Sequence, residues 1–168
     1  MDLLNILSGL VQDPISYSLL FFIYVILAAI ILPIPVEIGL FNPFINPVLL
    51  IFILAIGKGI GALIVFEIGL KLRYLLKKIT NGPKITKKIV DYCELFVNKY
   101  GYFGLFIIMS TPLMIDSASL YLFSILNSKK NGKRAMARNQ FVLINIIAGA
   151  VRGSIIIILA YVIGIRLV

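Results

Sequence analysis

Apolar residues in this chain come in four runs, and most of what lies between them is basic. Residues 15–32 form the first run, which opens after Asp13-Pro14 and stops at Pro33-Ile34-Pro35. Proline removes a backbone donor and clashes with the turn before it, so the helix predicted here ends or breaks at that point. Glu37 and a short arm, residues 38–44, follow, and the turn signal Asn46-Pro47 ends the arm. The second run, residues 48–70, exceeds the roughly twenty apolar residues that a helix needs to cross a bilayer. The third run, residues 101–126, contains no Lys or Arg, yet Thr111-Pro112 interrupts it near its middle and Asp116 follows. Residues 139–168 supply the last run.

The stretch between the second and third runs has a different period. Residues 74–100 are lysine-rich and broken at Asn81-Gly82-Pro83. Beyond that break Ile85, Ile89, Tyr92, Phe96 and Tyr100 recur at helical spacing opposite Lys84, Lys87, Lys88 and Asp91. This predicts an amphipathic helix, lying on the inner membrane surface or packed on the protein's own underside. Residues 127–132 read as a second cytoplasmic turn.

Charge decides how the runs are arranged. Of 16 Lys and Arg residues, all but Lys58, Arg152 and Arg166 fall in residues 71–99 or 129–138. Basic loops strongly prefer the cytoplasmic side. A single crossing by residues 101–126 would put the two basic stretches on opposite sides. The pattern therefore predicts a re-entrant hairpin that enters from the cytoplasm, turns at Pro112 and returns. By the same reasoning residues 15–44 predict a hairpin entered from the other face, through Pro33 and Pro35. If residues 15–32 cross fully instead, residues 33–46 become an outer loop and the N-terminus lies inside; the pattern leaves both open.

The expected fold is an all-α integral membrane protein of two inverted repeats. Each repeat is a re-entrant helical hairpin followed by a transmembrane helix, and the amphipathic cytoplasmic helix joins them. Repeat 1 covers about residues 15–72, the basic linker about 73–99 and repeat 2 about 100–166, all in one membrane domain. Three correspondences support it. Pro33 precedes Glu37, and Pro112 precedes Asp116, by four residues. Gly57 and Gly61, like Gly149 and Gly153, form a G-x-x-x-G pair within a long run. Each pair encloses one basic residue, Lys58 or Arg152. Inverted repeats with broken helices are typical of secondary transporters.

Composition excludes several classes. With 61% hydrophobic and 14% charged residues and a mean hydropathy of +1.06, the chain does not read as a soluble domain. Its formal charge of +9 borders apolar runs, so contact with anionic lipid is expected and nucleic acid is not. No His and a single cysteine, Cys93, leave no zinc set, no Cys/His pair and no intrachain disulfide. No metal, cofactor or enzyme activity is expected. Residues 1–13 lack the basic start of a cleavable signal and carry Asp2 and Asp13. Abundant Ile, Lys and Asn with no Trp suit an AT-rich prokaryotic genome, and hence its plasma membrane.

Four residues are candidates for substrate or proton binding. A carboxylate near the bilayer midplane is costly unless paired, protonated or wetted, which singles out Glu37 and Asp116 as proton-responsive groups. Each also follows a helix break, where it can cap free backbone N–H groups. Lys58 and Arg152 lie too deep in their runs to snorkel. They can neutralise the acids or bind phosphate, Arg by a bidentate contact and Lys as a point charge. Plain structural pairing of Glu with Lys or Asp with Arg is the alternative. Glu67 reads as an interfacial partner of Lys71. The glycine pairs let helix backbones approach, seating the hairpin arms. Ser110, Thr111, Ser117 and Ser119 surround the second break and either line a polar path or satisfy its freed backbone groups.

At these residues the chain resembles the DedA superfamily, also called the VTT or SNARE-associated Golgi protein family, in its short branch. The resemblance rests on Leu32-Pro33-Ile34-Pro35-Val36-Glu37, on the span pattern through Gly57, Gly61, Phe66, Ile68 and Gly69, on Tyr100-Gly101-Tyr102-Phe103-Gly104, and on Pro112 with Asp116. It covers about residues 15–165. An arginine pair of many bacterial members falls on Met109 and Ile115 here, and an acid of the span pattern falls on Ala62. The small multidrug export family has a similar length and layout. The DedA resemblance implies movement of a phospholipid or polyprenyl phosphate between leaflets, with protons as coupling ion in some members. Membrane lipids are then the expected partners, with a homo-oligomer also open. Proton-coupled export of cationic drugs and a non-transporting assembly role are the alternatives.

Overall fold

The structure, a computed structural model, describes residues 11–31, 34–80, 84–127, 129–130, 133–134 and 136–164. The side chains at 74–80, 84–91, 93, 94, 98 and in the short ribbon lie outside that description. Helix α1 is Pro14–Ile30, and a 3-10 turn, Val36–Leu40, follows it. Helix α2 is Pro47–Thr80, α3 is Lys84–Ser110 and α4 is Asp116–Ile125. A two-residue antiparallel ribbon, Lys129–Lys130 with Lys133–Arg134, leads into α5, Arg138–Ile163.

Local chemistry sets these bounds. Asp13 accepts from the Ser16 N–H at 2.9 Å, with Pro14 at the first helical position of α1. Its hydrogen bonds with the Ser16 side chain and N–H hold the Asp13 carboxyl below the usual carboxylate range. Asn46 opens α2 in the same way, accepting from the Val48 N–H at 2.9 Å just before Pro47. Gly164, at φ +89°, ends α5 in the left-handed conformation that glycine adopts without a Cβ penalty. Pro33 lies outside the described residues. Pro35 does stand at the head of the 3-10 turn, as its N-cap.

Among the described residues two helices are long and apolar enough to cross a membrane: Pro47–Arg73, with 27 residues, and Arg138–Ile163, with 26, whose 18-residue apolar stretches have mean hydropathies of 2.6 and 2.3. They pack on each other. Ile146 lies against Gly59, Gly149 against Ala55 and Lys58, and Gly153 against Ile51 and Leu54, an opposing order that makes α2 and α5 antiparallel. Helix α1 runs parallel to α2, because Val25 meets Gly57 while Ala29 meets Gly61. A Cβ on Gly61 would fall 2.4 Å from the Ala29 Cβ, so only glycine permits this approach.

The chain doubles back after α1. Tyr24 donates to the Pro35 carbonyl, Tyr17 donates to the Gly39 carbonyl, and Asn42 Nδ2 reaches the Val11 carbonyl. It doubles back again at residues 111–115, with Phe123 of α4 beside Phe96 and Gly104 of α3. Both basic stretches consequently lie at one end. Arg73 bonds the Asn127 carbonyl, Arg138 pairs with Glu67, and Tyr102 accepts from the Ala137 N–H. Asn127 closes that end by trading two 2.8 Å hydrogen bonds with the Met136 backbone.

Two expectations need correction. The amphipathic segment is not a separate helix from the arm that follows it. Helix α3 runs unbroken from Lys84 through Gly101 to Ser110, because no proline falls between Lys84 and Ser110 to interrupt its hydrogen bonds. Glu67 pairs with Arg138 at 3.5 Å across the helix interface, in place of the Lys71 expected along its own helix.

The interior is largely apolar, but the exterior is apolar as well and the core encloses charges. Apolar side chains such as Ile15, Leu19, Phe52, Leu143, Ile158 and Val162 face outward, while Lys58 and Arg152 are among the largest fully buried side chains.

Candidate functional site: a buried charge quartet

The turn between α3 and α4 produces loose backbone ends, and charged side chains take them up. Pro112 has no N–H, so the carbonyls closing α3 lack their usual partners four residues on. The Thr111 N–H is shared between the Ile107 and Ile108 carbonyls at 3.1 and 3.3 Å. The Met109 carbonyl would normally accept from Leu113. Instead it accepts from Lys58 Nζ at 3.2 Å. A cation at a helix C-terminus also suits the helix dipole. Leu113 sits at φ +63°, the only non-glycine residue with positive φ among those described, and its N–H points to Glu37 Oε1 at 2.8 Å. Asp116 stands in the first turn of α4, where a negative charge suits the dipole.

Arg152 ties this turn to the rest. Its Nη1 donates to Asp116 Oδ1 at 2.7 Å, its Nε to Glu37 Oε1 at 2.7 Å and its Nη2 to the Met114 carbonyl at 3.0 Å. Nη2 also contacts Glu37 Oε1. Lys58 Nζ completes the set, 3.2 Å from Asp116 Oδ1. All four residues are buried, Arg152 completely. Lys58 lies about 17 Å into α2 and Arg152 about 21 Å into α5 at 1.5 Å per residue, so the quartet sits near the middle of the membrane-length stretches Pro47–Arg73 and Arg138–Ile163.

All four sequence candidates thus meet at one point, and two acids balance two bases. Their pairing crosses the two halves of the chain. Asp116 holds both Lys58 and Arg152, and Glu37 holds Arg152; no ion pair joins Glu37 to Lys58 among the described residues. Glu37 also acts as a cap, for the distant Leu113 amide. Gly57 and Gly61 seat α1, whereas Gly149 and Gly153 seat α2 and not a hairpin arm. Gly149 also leaves room for the Lys58 stem, whose Cδ would lie 3.0 Å from an added Cβ. Thr111 and Ser119 donate to carbonyls one turn back, Ile107 and Ile115, so both serve the break itself.

Several participants carry no obvious sequence mark. The Met109 and Met114 carbonyls and the Leu113 amide are backbone groups. Asn145 is fully buried on α5, with Nδ2 on the Phe141 carbonyl at 2.8 Å and Oδ1 without a protein partner. Its position seven residues before Arg152, on one helix face, is a signal that spacing carries. Glu37 Oε2 and Ser110 Oγ are likewise buried without a protein partner. Comparison with family models, with curated proteins and with solved structures gave no match to this chain.

Proposed function

We propose that this protein is an integral membrane transporter of the DedA type that moves a phosphate-bearing lipid between leaflets, with a proton as the coupling ion. The observation that carries the reading is the closed, charge-balanced quartet at mid-depth between two membrane-length helices. An apolar exterior with a charged interior supports placing the protein in lipid, where such interior charges serve transport far more often than stability. The two doublings of the chain, starting from opposite ends and followed by antiparallel α2 and α5, support two inverted repeats with re-entrant hairpins. The basic end is then cytoplasmic, in the plasma membrane of a prokaryote.

The quartet supplies a mechanism. With both acids ionised, their oxygens occupy the positions on Arg152 and Lys58 that a phosphate oxygen would take. A proton on either carboxylate weakens its hold and frees a cation for the lipid phosphate, for which the Arg152 guanidinium offers a bidentate face. Phosphate departure restores the pairs and releases the proton. A cationic substrate fits less well, because it would have to displace a fixed guanidinium and meet repulsion from Lys58.

The test is flux in proteoliposomes, with a labelled phospholipid and a cationic dye measured in parallel. The Lys58→Met/Arg152→Met variant should lose lipid flux and leave dye flux unchanged or raised. Glu37→Gln and Asp116→Asn should flatten the pH profile of lipid flux while the protein stays folded, since each keeps hydrogen-bonding capacity without the titrating charge. Unchanged lipid flux in a well-folded Lys58→Met/Arg152→Met protein would sink the reading and leave the quartet as a structural clamp.

A further inference from the structure

The outer face between α2 and α5 carries a groove of about 390 Å³, lined by Leu63, Arg138, Asn139, Val142, Leu143 and Ile146. That volume is in the range of sites that hold small ligands. Its polar groups are all at one end. Arg138 and Asn139 open α5, and Ile146 lies eight residues further, about 12 Å along the helix. Ile146 rests on Gly59, where a Cβ would fall 2.5 Å from its Cγ1, so close helix approach fixes the deep wall.

Arg138 at the mouth is paired with an opposite charge beside the groove, Glu67, one turn along α2 from the lining residue Leu63. Arg138 Nη1 faces Glu67 Oε1 at 3.5 Å, with side-chain exposures of 58% and 50%. A charge-assisted N–H···O bond closes to about 2.7–2.9 Å, so this pair is wide, and exposed pairs contribute little to stability. It can open toward a ligand at small cost. The N-terminus of α5 has no side-chain cap, and its first N–H groups add partial positive charge on the Arg138 side. On the other side, Glu67 supplies the negative charge, with Lys71 one turn further along α2 toward the basic end.

We propose that this groove seats an acyl chain of a zwitterionic phospholipid, with the lipid phosphate on Arg138 and its ammonium on Glu67. The separation of a phosphate and an ammonium in one headgroup matches the two adjacent, weakly engaged charges at and beside the mouth. The apolar wall of Leu63, Val142, Leu143 and Ile146 matches the chain below it. A purely anionic headgroup satisfies Arg138 and is repelled by Glu67. The seat is separate from the quartet, since Arg138 lies about 21 Å from Arg152 along α5. It rests on the membrane placement and not on transport through the quartet.

The experiment compares phosphatidylethanolamine with phosphatidylglycerol of matched chains on the purified full chain in detergent. Retained lipid is read by native mass spectrometry, and lipid-induced thermal stabilisation is read in parallel. Wild type should retain phosphatidylethanolamine about fivefold over phosphatidylglycerol. Glu67→Gln should erase that preference, Arg138→Gln should weaken both lipids, and Val142→Trp should fill the groove and weaken both with the charges unchanged. The first two changes are at half-exposed positions, so folding is retained. Equal retention of the two lipids by wild type would overturn the proposal, and so would a preference that survives Glu67→Gln. Loss of the flux reading leaves this seat intact, because its readout is binding without transport.

Discussion

Removing Arg152 strands one acid in particular, and that makes the quartet's wiring measurable. In Arg152→Met the two bonds to Glu37, the bond to Asp116 and the bond to the Met114 carbonyl all disappear. Asp116 keeps Lys58 at 3.2 Å, but Glu37 keeps only the Leu113 amide. Breaking a buried pair by deleting one partner costs about 3–5 kcal/mol, because an uncompensated charge remains. Rescue therefore depends on which acid is neutralised next. Glu37→Gln removes the stranded charge, retains an acceptor for Leu113 and leaves the Lys58–Asp116 pair whole. Asp116→Asn removes the wrong charge and leaves Glu37 and Lys58 buried, with no ion pair between them.

The Arg152→Met/Glu37→Gln protein should thus recover most of the loss, ending within about 1–2 kcal/mol of wild type, while Arg152→Met/Asp116→Asn stays near the single variant. The loss of the Met114 bond survives in both and sets the residue of about 1 kcal/mol. Reversible unfolding in mixed micelles reads all four proteins, with helical circular dichroism as the fold control. Equal stability of the two double variants would refute the asymmetric wiring, and with it the separate roles of Lys58 and Arg152.

Gly61→Ala should destabilise by about 1–3 kcal/mol through overpacking against Ala29, while Gly104→Ala, whose added Cβ stays at least 3.4 Å from its neighbours, should change little; thermal unfolding in detergent compares them. Leu113→Gly should leave stability unchanged or slightly raised, because relief of about 1 kcal/mol of left-handed strain offsets the chain entropy of glycine, whereas Leu113→Val should lose stability; a large loss in Leu113→Gly would mean that its exposed side chain matters more than its backbone. Single cysteines at Lys99 and Lys133, in a Cys93→Ser background, should react with an impermeant thiol reagent from the same side of sealed vesicles, since Tyr102 and Ala137 place the two basic stretches at one end. Labelling from opposite sides would make residues 101–126 a simple span and remove the inverted-repeat reading.

The quartet's members were legible because each violates composition in its own surroundings. A lone Glu, Asp, Lys or Arg in a long apolar run has few physical explanations, and the prolines four residues before Glu37 and Asp116 marked where the helices stop. Who pairs with whom was not legible, because that depends on register between helices far apart in sequence. The correspondence of Glu37 with Asp116, and of Lys58 with Arg152, suggested pairs within each half, yet one guanidinium reaches both acids. The partition of the middle segment was also hidden. Lysine spacing marked residues 84–100 as amphipathic and residues 101–110 as apolar, and a change of polarity reads as a boundary between elements. Backbone hydrogen bonding takes no notice of polarity. Without a proline between Lys84 and Ser110, one helix carries both the lysine-rich sequence and the apolar sequence that leads to Pro112. That continuity runs one helix from the basic end to the quartet. Its last turns carry Met109, whose carbonyl holds Lys58. The same break that Pro112 forces on the backbone is therefore what creates a seat for a buried cation.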